Sequence, residues 1–87
     1  DLGTATTIVE EAIYSSPYVY VDADRPVAVL IEDEGYYRTI RGKAYVADLR
    51  DETAFASDVT KRSLEAFERR GVPTPRLEPP AGADVGS

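Results

Sequence analysis

Hydrophobic positions along the chain form two helical stripes with an alternating strand pair between them. Ala5, Ile8, Val9, Ala12 and Ile13 recur at i, i+3, i+4, i+7 and i+8, one face of a helix. Asp1 or Thr4 can cap its start, and Ser15-Ser16-Pro17 stops it, since proline disfavours the α region in the residue before it. Tyr18-Val19-Tyr20-Val21 is a short β-prone run, ended by Asp22-Ala23-Asp24. A strand then opens at Pro26 and runs through Val27-Ala28-Val29-Leu30-Ile31. Glu32-Asp33-Glu34-Gly35 is a turn in which glycine supplies the positive φ of a tight hairpin. The return strand runs from Tyr36 to about Asp48, with Ile40, Gly42, Ala44 and Val46 on an inward face and Thr39, Arg41, Lys43 and Tyr45 on a wet one.

The second helix takes Asp51 as N-cap and Glu52 in its first turn, where the helix dipole favours an anion. Phe55, Val59, Ser63, Ala66 and Phe67 lie along its inner face. Lys61, Arg62, Arg69 and Arg70 load its C-terminal half. Gly71 ends it in the left-handed C′ conformation, with Pro73 just beyond. Residues 72–77 read as extended. From 78 to 87 the composition is Pro, Gly, Ala and acid, a flexible tail that lacks the apolar surface to fold. The expectation is one α+β domain over 1–77, followed by that tail. The order of helix, hairpin, helix and extended segment fits a ferredoxin-like sandwich truncated of its first strand. Such a loss leaves an open sheet edge, to be filled by a neighbouring chain or by the segment near Val72–Leu77.

Charge and composition then narrow the function. Eighty-seven residues form one thin core, with about 60% of the unfolded surface buried. Without Cys there is no disulfide or thiolate metal site to reinforce it. Without His the usual neutral-pH base and imidazole ligand are missing, so the chain reads as a non-enzyme that needs no cofactor or metal. The net charge of −6 argues against nucleic acid and against an anionic membrane surface. No apolar run reaches the ~20 residues that span a bilayer. The chain opens on Asp rather than Met, so it reads as a soluble piece of a longer protein.

Four groups carry candidate chemistry. Asp22-Ala23-Asp24 has two carboxylates but lacks the spacing of an oxygen-ligand metal loop, and reads as a polar connection. Glu32-Asp33-Glu34 at the hairpin tip can act as a local field that attracts cations. Arg41-Gly42-Lys43-Ala44-Tyr45-Val46-Ala47-Asp48 resembles the RNP1 octapeptide of RNA-recognition domains, with Lys43 and Asp48 where that pattern has aromatics. An RNA-binding sheet built on Arg41 and Tyr45 is therefore one alternative, and a small ligand-binding regulatory domain is another. Tyr18, Tyr20, Tyr36, Tyr37 and Tyr45 fit a protein interface or plain strand propensity equally well.

The whole order also resembles a channel module. Arg25-Pro26-Val27, Ala44-Tyr45-Val46-Ala47-Asp48, Phe55-Ala56-Ser57-Asp58-Val59-Thr60 and Arg69-Arg70-Gly71-Val72-Pro73-Thr74-Pro75 are similar to the C-terminal cytoplasmic domain of the small-conductance mechanosensitive channel (MscS-like) family. The likeness covers roughly residues 1 to 77. Its most specific part is the Gly-aliphatic-Pro-x-Pro ending, with Thr74 where the family commonly has Phe. The resemblance implies a homo-oligomer, usually sevenfold, forming a cage at the cytoplasmic face of the cell membrane. Membrane attachment would come through upstream segments only, and the cage would sieve ions and osmolytes. It makes Val72, Pro73, Pro75 and Leu77 candidate subunit contacts. In that setting Glu32, Asp33 and Glu34 are the candidate electrostatic filter.

Overall fold

In a computed structural model, which describes residues 2–33, 35–36 and 38–84, the chain is a small α+β domain of two layers. Helix α1 (Leu2–Ser15) leads through β1 (Val19–Tyr20) and β2 (Ala28–Asp33) into the long strand β3 (Arg38–Val46). A 3₁₀ turn (Leu49–Asp51), helix α2 (Glu52–Arg69), β4 (Arg76–Leu77) and β5 (Ala81–Asp84) complete it. Among the described residues no helix is long and apolar enough to cross a membrane.

β3 is the spine of the sheet. On one side it pairs antiparallel with β2, from Ala28 opposite Lys43 to Asp33 opposite Arg38. Further along the same side β1 continues the row, Val19 opposite Val46 and Tyr20 opposite Tyr45. On the other side β4 and β5 run parallel to β3. The sheet is thus three rows wide and mixed in direction. Of the two expected occupants of the open edge, the chain's own segment takes it. Arg76 and Leu77 pair with Thr39 and Ile40, and Glu78 N–H donates to Ile40 O at 3.0 Å.

Residues 78–87 read as a tail, yet 81–84 lie in register with 43–46. A strand edge asks a partner for backbone N–H and C=O groups, which even an Ala/Gly segment supplies. Gly82 passes close over the core, where a Cβ would meet Val46 Cγ1 at 3.3 Å and Phe55 Cδ2 at 3.4 Å. Residues 85–87 lie outside the described residues.

Both helices cover one face of the sheet. Ala5, Ile8, Val9, Ala12 and Ile13 of α1 and Phe55, Val59 and Phe67 of α2 meet Ile40, Ala44 and Val46 of β3 in one cluster. The helical stripe and the inward strand face are therefore as the alternation reads. Of the two caps expected for α1, Thr4 lies inside the helix and Asp1 lies outside the described residues; the start of α2 differs from expectation. Ahead of α2 the capping carboxylate is Asp48, which accepts from Arg50 N at 2.9 Å, while Asp51 makes no side-chain cap. The 3₁₀ turn causes this, because it moves the first exposed N–H groups back by a turn.

The helix ends follow the sequence. Ser16 N–H closes α1 on Ile13 O at 3.1 Å, and the Ser16 hydroxyl accepts from Tyr18 N–H at 3.4 Å. At the end of α2, Gly71 has φ 65°, its N–H donates to Glu68 O and Val72 N–H donates to Phe67 O. That paired 6→1 and 5→2 pattern is a Schellman motif, and it turns the chain toward the edge of β3.

Candidate functional site

The face of the sheet away from the helices is uncovered, and it gathers most of the chemistry-bearing strand residues. Alternation along β3 sends Thr39, Arg41, Lys43 and Tyr45 to this side. Register adds cross-strand neighbours: Glu32 and Arg76 flank Thr39, Leu30 faces Arg41, Ala28 and Ala81 flank Lys43, and Tyr20 and Ala83 flank Tyr45. Thr39 was expected in water but is buried, because strands close on it from both sides. Arg41 and Tyr45 are half-buried for the same reason, and Lys43 is exposed.

Tyr20 and Tyr45 are direct antiparallel partners, a spacing at which aromatic rings touch. The Arg25 guanidinium sits 5.9 Å from the Tyr20 ring centre, a cation–π contact. Arg25 is itself fixed by Asp22, Nη1 to Oδ2 at 3.0 Å. Desolvation, the largest single influence, pushes the Asp22 carboxyl up, but the Asp24 and Arg25 N–H groups and the Arg25 guanidinium together outweigh it and hold the pKa below the ordinary aspartate value. Beside this pair lies a shallow depression of about 420 Å³ over Pro26, Ala28, Lys43, Tyr45, Ala81 and Ala83. Its floor is small residues, and its polar point is the Lys43 ammonium.

Among the described residues the Arg41 and Lys43 side chains make no hydrogen bond or ion pair. Among the described residues Asp22–Arg25, Asp33–Arg38, Asp48–Arg50 and Asp58–Arg62 form ion pairs between positions close in sequence. The face therefore presents two cations outside any ion pair, with Glu32 the acid on the same side, on a chain whose net charge is −6.

The acidic hairpin tip is only partly the open cluster read from sequence. Glu32 and Asp33 are exposed at the end of β2, and Glu34 lies outside the described residues. The Asp33 carboxylate accepts from Gly35 N–H at 3.0 Å and faces Arg38 Nε at 3.9 Å, which offsets its charge. The Asp22-Ala23-Asp24 link has its first carboxylate occupied by Asp24 N–H at 2.9 Å and by Arg25. No group of three or more carboxylates gathers among the described residues to hold a metal ion.

The candidate contact segment divides. Val72 and Leu77 pack against the chain's own core, Pro75 is half-buried, and Pro73 is exposed. A wider groove, about 840 Å³, runs between α2 and Pro79–Pro80, floored by Ala56 and Leu64. Its charged groups, Glu52, Lys61, Glu65 and Glu68, are exposed on the rim rather than converging inside. That is a surface trough without the buried polar contacts that orient a small ligand.

The sequence reading placed Arg41 and Tyr45 on one strand face and named Tyr20 as a candidate interface tyrosine, but it did not bring Tyr20, Arg25 or the Ala81–Ala83 border to that face. The side of Tyr20 was legible, because the Tyr-Val-Tyr-Val alternation sends it opposite Val19. The border was not, since it depends on a segment whose composition carries no strand signal. Compared with known protein families, characterised proteins and solved structures, the chain matches none.

Proposed function

We propose that the chain is a non-catalytic assembly and filtering domain, the cytoplasmic cage module of a small-conductance mechanosensitive-type channel. The reading is of a homo-oligomer beneath a membrane pore, and of a ferredoxin-like sandwich lacking its first strand. The observation that carries it is the exit from α2. The Gly71 Schellman turn leads through Val72-Pro73-Thr74-Pro75 and lays Arg76-Leu77 on the edge of β3, the edge that the first strand of a ferredoxin-like sheet would occupy. An order of helix, three strands, helix and two strands accompanies the residues that carry the family resemblance, with the β2–β3 hairpin between the helices. The RNA reading is weaker, since Lys43 stands at a stacking position and the net charge opposes a phosphate backbone.

In this role the hairpin tip biases the ions that approach the pore. Asp33 is partly neutralised by Arg38, so Glu32 contributes more of the field than Asp33 does. Expression of the whole gene product in a channel-deficient bacterium tests the reading. Survival of osmotic downshock and stretch-activated current in patches are expected, both lost on deleting residues 1–77. A gene product that gives no current under tension overturns the channel assignment. Replacing Glu32, Asp33 and Glu34 by Gln, Asn and Gln should shift the reversal potential in a salt gradient away from cations, and an unchanged potential removes the filter.

A further inference from the structure

We propose that the open sheet face docks head-to-tail on the outward face of α1 of a second copy of this chain, setting Arg41 and Lys43 against Glu10 and Glu11. This deepens the assembly role above and rests on it for the presence of neighbouring copies.

Charge complementarity points to the partner. The open face carries Arg41 and Lys43, neither in an ion pair among the described residues, and Glu32 beside Thr39 is the acid that shares the face. The chain as a whole is at −6, so its remaining surface is more acidic than the total suggests. Helix α1 carries part of that excess. It contains no Lys or Arg, and Glu10 and Glu11 are exposed and without an ion pair among the described residues. Arg62 and Arg69 of α2 line a groove with Glu11; Arg62 is taken up by Asp58 at 2.8 Å, and Arg69 forms no ion pair with Glu11.

The apolar parts match as well. Tyr14 stands 51% exposed on α1, one turn beyond Glu10 and Glu11. Leu30 and Tyr20 are each 39% exposed on the sheet side, and the Ala-floored depression beside Tyr45 offers a shallow seat for a ring. Aromatic anchors in a small-residue seat with charges at the rim are the usual anatomy of a protein interface. Because the sheet face and α1 belong to opposite layers of one domain, the contact joins unlike surfaces. Such a contact propagates from copy to copy, and closes into a ring where the rotation allows.

The test is sedimentation velocity of the chain over rising concentration, at low and high salt. Concentration-dependent association that weakens with salt is expected. R41E/K43E and E10K/E11K should each raise the dissociation constant at least about tenfold, the range for charges at an interface rim. The fourfold variant, or an equimolar mixture of the two double variants, should recover association, because the reversed faces are again complementary. Circular dichroism checks each fold; if R41E/K43E unfolds, K43E alone replaces it, since Lys43 is exposed.

A chain monomeric at every concentration overturns the proposal. So does association indifferent to the reversals, or two disruptive reversals that the fourfold variant fails to rescue. Anisotropy with a labelled single-stranded RNA is the cross-check, and R41E/K43E-sensitive binding of it would reassign the face. Patch currents test the channel reading separately. Rescued association in a gene product without currents would sink that reading and leave this one standing.

Discussion

Gly42 is the place where one added methyl group should report on how α1 sits over the sheet. It lies mid-strand in β3 on the inward side, directly beneath α1. A Cβ there would run into Ile13 Cδ1, with Ile13 Cγ1 at 3.5 Å and Val9 Cγ1 at 3.7 Å. Ile13 is wholly buried, so its terminal methyl has little room to yield. Overpacking a filled core costs about 1–3 kcal/mol. Against that, Gly→Ala reduces the freedom of the unfolded chain and stabilises by about 0.4–1 kcal/mol. Gly42→Ala should therefore destabilise by about 1–2 kcal/mol, a fall in Tm of roughly 5–15 °C for a domain of this size.

The cause can be isolated with Ile13→Val, which removes the clashing Cδ1. Alone it should cost about 1 kcal/mol as a small cavity. Combined with Gly42→Ala, the new methyl occupies the vacated space, and the double variant should beat the sum of the singles by about 1 kcal/mol. Urea denaturation followed by far-ultraviolet circular dichroism gives all four corners of the cycle. Additivity within about 0.3 kcal/mol, or a stabilising Gly42→Ala, would refute the packing of α1 on β3.

Three further outcomes follow from other parts of the chain. Gly71→Ala should cost about 1–2 kcal/mol from backbone strain at φ 65° alone, since nothing lies within 4 Å of the added Cβ; Gly71→Asn should cost less, and equal effects would speak against the Schellman turn. Removing residues 76–87 should expose the edge of β3, lose at least about 1 kcal/mol with the packing of Leu77, and produce larger species by light scattering; a monomer of parental stability would show that β4 and β5 do not pair there. The Asp48 carboxyl is held below its ordinary pKa by the Arg50 side chain and N–H, so its contribution is present above the unfolded value and lost as pH falls through the folded one. Asp48→Asn, which keeps a capping oxygen, should thus melt below the parent at neutral pH and converge with it as acid protonates the parent's Asp48; a constant gap would place the effect outside the charge.

Local signals settled much of this protein before any packing was known. Period and punctuation alone place the Ala5–Ile13 stripe, the Ile40–Val46 alternation, the positive φ of Gly35 and the Gly71 terminus, because each depends on neighbours within a turn or a pleat. The same holds for the missing His and Cys, which narrow the chemistry without any fold. Other features came only from residues far apart in the chain. Ala81–Asp84 becomes a strand because β3 has a vacant edge, and backbone hydrogen bonding is indifferent to the small side chains that hid it. Thr39 is buried and Tyr20 meets Tyr45 because register across strands sets their neighbours. The charge partition between the open sheet face and α1 is likewise invisible in a net figure of −6. It arises when pleat alternation and helix packing sort like-looking surface residues onto opposite layers.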